Sequence, residues 1–195
     1  MNKESIIAEA MAFIETLFSE DCSGHDVAHT KRVYRNAMML AKTEPQCDTF
    51  IVALAALLHD ADDHKLFSTE NNANARKFLA EAGIQAPETE RICQIINSVS
   101  FSKNRGNRPE TIEAMIVQDA DRLDALGAVG VARTFAYGGQ RKRPMEDSIQ
   151  HFYDKLLLLK GEMNTEAGKK IARTRHDFLE QFLRAWDEET NPDNG

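Results

Sequence analysis

Apolar residues recur every three to four positions along nearly the whole chain, the spacing that gathers them on one face of an α-helix. Between residues 4 and 18 they are Ile6, Ile7, Met11, Ile14, Leu17 and Phe18. Between 27 and 42 they are Val27, Val33, Tyr34, Ala37 and Leu40. Residues 48–60 are almost wholly apolar, include the run Ile51–Leu58 and end in His59-Asp60, so this segment reads as a buried helix. A helix over 69–82 stops at Gly83, a residue suited to the position just past a helix end. Segment 88–99 follows Pro87, and 110–126 starts just after Pro109. A further helix is expected from near Ala128 to just before Gly138-Gly139, with two more over 146–160 and 166–188. No segment alternates with period two, and no internal repeat or low-complexity stretch is visible. The pattern predicts an all-α protein of about eight or nine helices in one domain over 1–190, with 191–195 as a frayed tail.

Composition narrows the function classes. A chain of 195 residues fits one domain and buries a core without disulfides. Its 24 basic and 31 acidic residues give a net charge of −7. That balance argues against general nucleic-acid binding and against anionic membranes, since both need clustered Lys and Arg. The three cysteines, Cys22, Cys47 and Cys93, are odd in number and match no zinc spacing, so reduced thiols in a cytoplasmic protein are expected. The N-terminal stretch carries glutamates within its apolar positions and is no signal peptide. The run Ile51–Leu58 is too short to span a bilayer. Two basic loops, 102–109 and 138–145, stand out on this acidic chain as solvated turns or as rims of an anion pocket.

The candidate chemistry lies in three strings: GHDVAHTKRV (24–33), LLHDADDHK (57–65) and QDADRLDALGA (118–128). His59 and Asp60 are adjacent at the end of a helix too apolar for the surface. Neighbouring helical residues point about 100° apart, so both side chains can converge on one ion off the helix end. A half-buried carboxylate needs a partner, and a divalent cation is one. His29 lies on or beside the buried face marked by Val33 and Ala37. In the third string, Asp119 and Asp121 point about 200° apart, so both cannot face one ion. One should be a ligand or should orient one, and helical geometry alone leaves the choice open.

The order His29, then His59-Asp60, then an aspartate in ADRL (120–123) resembles the HD superfamily of metal-dependent phosphohydrolases. Three strings carry the resemblance: HDVAHTKRV (25–33), LLHDADD (57–63) and DADRLDALGAVGVAR (119–133). They cover about residues 20–140, and the chain most resembles the small stand-alone bacterial branch, which includes nucleotide pyrophosphohydrolases. The resemblance implies an HD-type helical bundle with His29, His59, Asp60 and Asp121 as metal ligands, and it selects Asp121 over Asp119. It places an acid that handles the attacking water at Asp63, with Asp62 as the alternative and His64 as a further catalytic candidate. His25 and Asp26 would orient His29 or line the substrate pocket, and Lys65 and Arg122 would face phosphate. Lys103, Arg108 and Arg141 are further candidates for phosphate charge. Phe67, Phe101, Phe135 and Tyr137 are candidates for stacking on a base, each more commonly a core residue.

Two imidazoles and two carboxylates without sulfur disfavour a structural zinc site. Carboxylate and water suit Mn²⁺ or Mg²⁺, and imidazole pulls toward Fe²⁺, Co²⁺, Ni²⁺ or Zn²⁺; Mn²⁺ is the favoured ion. Two-metal branches of the superfamily it resembles carry extra histidines between the His-Asp pair and the last aspartate. Here His64 is the one histidine in that interval, so the resemblance favours one ion, with His64 leaving a second open. The function the resemblance implies is hydrolysis of a phosphate ester or anhydride of a small phosphorylated substrate, a nucleotide, by a monomer or homodimer. The alternative is a non-catalytic module of the same type that binds a metal or a signalling nucleotide. The apolar residues Leu156–Leu159, Phe178, Phe182 and Trp186 read as core or as a dimer surface.

Overall fold

The helix Thr49–Leu58 organises the first half of the chain. Every residue from Phe50 to Leu58 is buried, as its unbroken apolar run requires. It is started by Asp48, whose carboxylate accepts hydrogen bonds from the backbone N–H of Phe50 (3.0 Å) and Ile51 (3.3 Å). The computed structural model describes residues 2–19, 27–64 and 66–190, with only the backbone of Ser102 and Lys103.

Among the described residues there are ten α-helices, one 3-10 helix and no strand. In chain order the helices are α1 (Lys3–Leu17), α2 (Val27–Ala41), α3 (Thr49–Leu58), α4 (Ala73–Glu81), α5 (Ala86–Val99) and α6 (Phe101–Asn104). There follow α7 (Ile112–Asp124), α8 (Gly127–Gln140), α9 (Met145–Asp154), the 3-10 helix (Leu156–Glu162) and α10 (Glu166–Thr190). The all-α expectation holds. The chain divides into two compact units, Met1–Asp121 and Arg122–Gly195.

In the first unit α3 packs against α1, α2 and α5, while α4 packs on α5. Helix α1 begins at Asn2, whose side chain accepts from the N–H of Ser5 at 2.7 Å. Helix α4 ends where Gly83 (φ +75) closes the turn and Ile84 N–H reaches back to the Leu79 carbonyl. Helix α5 starts two residues earlier than the pattern suggests, because Pro87 fits inside a first turn rather than before it. The segment read as the basic loop 102–109 contains one extra helical turn, α6, held by Asn104 Nδ2 donating to the carbonyls of Asn97 and Ser100.

In the second unit α10 packs against α8 and the 3-10 helix, and α9 packs against the same two elements. An aromatic cluster packs beside its mainly aliphatic core. Phe152 stacks on Phe182 at 5.6 Å between centroids, and Phe135 stacks on Trp186 at 5.8 Å. Phe135 packs half-buried in this cluster, while Phe178 stays 44 % exposed. Helix α8 runs through Gly138-Gly139, where the sequence predicts a stop. Gly138 is a packing residue, since a Cβ there would lie 2.4 Å from Ser148 Oγ on α9. The segment 146–160, expected as one helix, breaks at Lys155 into a 3-10 helix. A 3-10 helix repeats every three residues, which brings Leu156 and Leu159 to the same buried side.

Cys47 and Cys93 are free thiols, and burial pushes the pKa of each up. Cys22 lies outside the described residues. No helix of the described residues is long and apolar enough to cross a membrane.

Candidate metal centre

Three helices of the first unit deliver the site. His29 sits in the first turn of α2, His59 caps the C-terminal end of α3 with Asp60 immediately after it, and Asp121 lies on α7. The two Nε2 atoms are 3.2 Å apart. The Asp60 Oδ2 atom is 3.3 Å from each of them. Asp121 Oδ1 is 3.5 Å from His29 Nε2 and 3.9 Å from His59 Nε2. Ligand atoms of His29, His59 and Asp121 all lie within 4.8 Å of one another. Asp119, left open against Asp121 by helical geometry, is wholly buried.

The depth of these groups differs in a useful way. The imidazole side chains are 1 % and 2 % exposed, whereas Asp60 is 13 % and Asp121 27 % exposed. The nitrogens form the floor and the carboxylates the rim, so the open side of the cluster is the acidic side. His59 donates from Nδ1 to the Ala56 carbonyl at 2.9 Å, and neutral His59 then turns its Nε2 lone pair toward His29. Two buried imidazole lone pairs at 3.2 Å repel unless a proton or a cation lies between them. Burial works to lower the pKa of His59. The Asp60 carboxylate, then Asp121 and the Ala56 carbonyl, outweigh it and push the imidazole up to about 9. The pocket is therefore built to hold positive charge, and two nitrogens with facing carboxylate oxygens are a donor set that fits a divalent cation.

Asn36 is a contributor that the pattern did not single out. It lies on α2, seven residues after His29 and so on the same face, and it is buried. Its Nδ2 donates to the Ala120 carbonyl at 3.2 Å, which pins α7 to α2 at the residue before Asp121. Gln118 Nε2 donates to the Ser98 carbonyl at 2.7 Å and fixes α7 from the α5 end. The available signal was a buried amide in an otherwise apolar helix face.

The remaining candidates separate. Asp63 is 13 % exposed, and its Oδ1 is 3.5 Å from Nδ1 of His64, whose side chain is 69 % exposed. Asp62, the alternative to Asp63, gives both oxygens to backbone N–H groups, of Asn74 at 2.9 Å and Ala75 at 3.0 Å. Arg122 was expected to face phosphate. It is instead buried in the second unit, where its guanidinium donates to the Glu162 carbonyl and lies 3.5 Å from the Glu162 carboxylate. A cation already matched by a carboxylate at that depth has little charge to offer a substrate.

In the basic loops, Arg105 lies over the Phe101 ring, and Arg141 and Arg143 lie over Tyr137. Phe67 packs toward Phe18, with centroids 5.9 Å apart. His25, Asp26 and Lys65 lie outside the described residues, and the side chain of Lys103 is not described.

The chain is similar to known proteins in sequence and fold. The HD domain family model matches residues 27–126. The Bacillus subtilis protein YpgQ is 38% identical over 181 residues, covering 88% of this chain and 87% of its own length. The crystal structure of Bacillus subtilis YpgQ in complex with ADP superposes with a TM-score of 0.86 at 31% identity, covering 100% of both chains. An HD-superfamily hydrolase from Bacillus thuringiensis superposes with a TM-score of 0.79 at 38% identity, covering 97% of this chain and 99% of that one.

Proposed function

The chain belongs to the HD-domain family and has the fold of its hydrolases, and we propose that it is a metal-dependent phosphohydrolase acting on a nucleotide. The observation that carries this reading is the buried imidazole pair with Nε2 atoms 3.2 Å apart, flanked by the Asp60 and Asp121 carboxylates. His29, His59, Asp60 and Asp121 would hold one divalent cation, with Mn²⁺ favoured. That ion, when bound, lowers the pKa of a coordinated water and polarises the phosphoryl oxygen.

The chain's own residues supply the rest. Asp63, three residues after Asp60 and only partly buried, takes the proton of the attacking water. His64, exposed beside Asp63, passes that proton to solvent. The acidic rim disfavours an anion approaching without a cation beneath it, so the protein spends its carboxylates on metal binding rather than on direct phosphate contact. With Arg122 engaged by Glu162, substrate contact falls to His25 and Asp26, which precede His29 in sequence, and to Lys65 after His64. The complex of YpgQ with ADP supports a nucleotide as the ligand class.

The test is phosphate and pyrophosphate release by metal-stripped protein, with Mn²⁺, Mg²⁺, Fe²⁺, Co²⁺, Ni²⁺ or Zn²⁺ added singly against a nucleotide panel. Turnover that requires the ion and disappears in His59→Ala is the expected result. The product then identifies the bond cleaved. A chain that binds the ion but releases neither product from any nucleotide would sink the enzyme reading in favour of a non-catalytic binding module.

A further inference from the structure

We propose that Asp62 is a positioning residue of this centre: it clasps the His59-Asp60 segment to the N-terminus of α4 and thereby sets the aim of the Asp60 carboxylate. The proposal rests on the metal-centre reading and adds a residue that touches none of the cluster.

Helix α4 starts abnormally. Asn71 and Asn72 both have positive φ, 54° and 56°, and Asn72 makes no side-chain cap. Its amide is spent on another task, donating to the Cys93 carbonyl on α5 at 3.3 Å. The first-turn N–H groups of Asn74 and Ala75 thus need an acceptor from elsewhere. Asp62 is that acceptor, with one carboxylate oxygen on each, at 2.9 and 3.0 Å. A negative charge at a helix N-terminus is also favoured by the helix dipole. The contact is reciprocal, because Asn74 Nδ2 donates at 2.8 Å to the carbonyl of Ala61, the fully buried residue between Asp60 and Asp62.

The chain around Asp60 is consequently held from two sides. Ala61 N–H reaches back to the Leu58 carbonyl at the end of α3, and Asp63 N–H to the Asp60 carbonyl. From Ala61 onward the clasp ties the same segment to α4, which is itself packed on α5. Cutting the clasp removes the α4 anchor from a two-residue ligand pair whose oxygen must stay near two nitrogens at once. Partners that orient metal ligands without touching the ion ordinarily contribute ten- to a hundredfold in affinity.

The experiment measures Mn²⁺ affinity directly, by calorimetric or paramagnetic titration of the metal-stripped full chain, with circular dichroism to verify the fold. Asp62→Ala is expected to weaken binding about ten- to a hundredfold. Asp62→Asn retains one acceptor oxygen and should fall between it and the wild type. Asn74→Ala, which removes only the return bond to Ala61, should weaken binding about tenfold. If Asp62→Ala does not fold, Asn74→Ala decides. A purely structural role would lower the melting temperature and leave the affinity of the folded chain unchanged, and unchanged affinity overturns the proposal alone. Absence of Mn²⁺ binding by the wild-type chain overturns the metal-centre reading together with it.

Discussion

Metal loading of this chain should release a proton, and its apparent affinity should climb with pH in a defined window. His59 supplies the reason. In the metal-free protein its pKa is about 9, held there against burial by Asp60 at 3.3 Å and by Asp121. An imidazole must be neutral to bind a metal. Below pH 9 the ion displaces a proton, so apparent affinity should rise about tenfold per pH unit and flatten above it. From pH 7 to pH 9 the gain should be about fiftyfold, since the imidazole is still half-protonated at its own pKa. Titration calorimetry at pH 7.5 in two buffers of different ionisation enthalpy reads the proton count, with about one expected from His59.

The same shift has a sign for stability. The folded pKa lies above the ordinary 6.5, so the protonated group stabilises the metal-free fold fully below pH 6.5. That contribution, on the order of 3 kcal/mol, fades as pH rises through about 9. Affinity independent of pH between 7 and 9, with no proton released, would refute the assignment of His59 as a proton-holding ligand between two carboxylates.

Asp63→Asn should keep the metal and lower turnover by roughly two to four orders of magnitude, as loss of a general base does. Full turnover in that variant would transfer the proton to His64. Gly130→Ala should destabilise the chain by about 1–3 kcal/mol, because a Cβ there would lie 2.2 Å from the backbone carbonyl oxygen of Ala125 and overpacking outweighs the better helix propensity of alanine. Gly139→Ala is its control: nothing lies within 4 Å, and it should be neutral or stabilising by up to about 1 kcal/mol. Urea midpoints of the two variants compare them, and equal midpoints would contradict the packing account.

The longer helices of the first unit were legible because each buries one stripe, or in α3 every side, against its neighbours, and burial writes a periodicity that needs no knowledge of the partner. The misreadings share a different cause. Gly138 has the composition of a helix stop, yet its role is set by Ser148 ten residues later. Four leucines from 156 to 159 suit an α-helix and a 3-10 helix alike, and the break is made by the backbone of Lys155. Arg122, adjacent to Asp121 in sequence, looks like a phosphate-facing cation until Glu162, forty residues on, is seen to match its charge.

Asp62 and Asp63 mark the limit most sharply. They are adjacent and identical in type, two and three residues after Asp60, so residue type does not separate them. What separates them is the direction of the chain after Ala61: Asp62 meets two backbone N–H groups of α4, and Asp63 is left beside His64. Backbone donors have no sequence signature, because every non-proline residue has one. The set His29, His59, Asp60 and Asp121 comes from the family resemblance of its strings, since helical geometry leaves Asp119 and Asp121 undecided. The fold brings the Asp60 and Asp121 carboxylates within 3.9 Å of the imidazole nitrogens. The strings thus identify the groups that hold charge, and only the fold identifies which neighbours hold those groups in place.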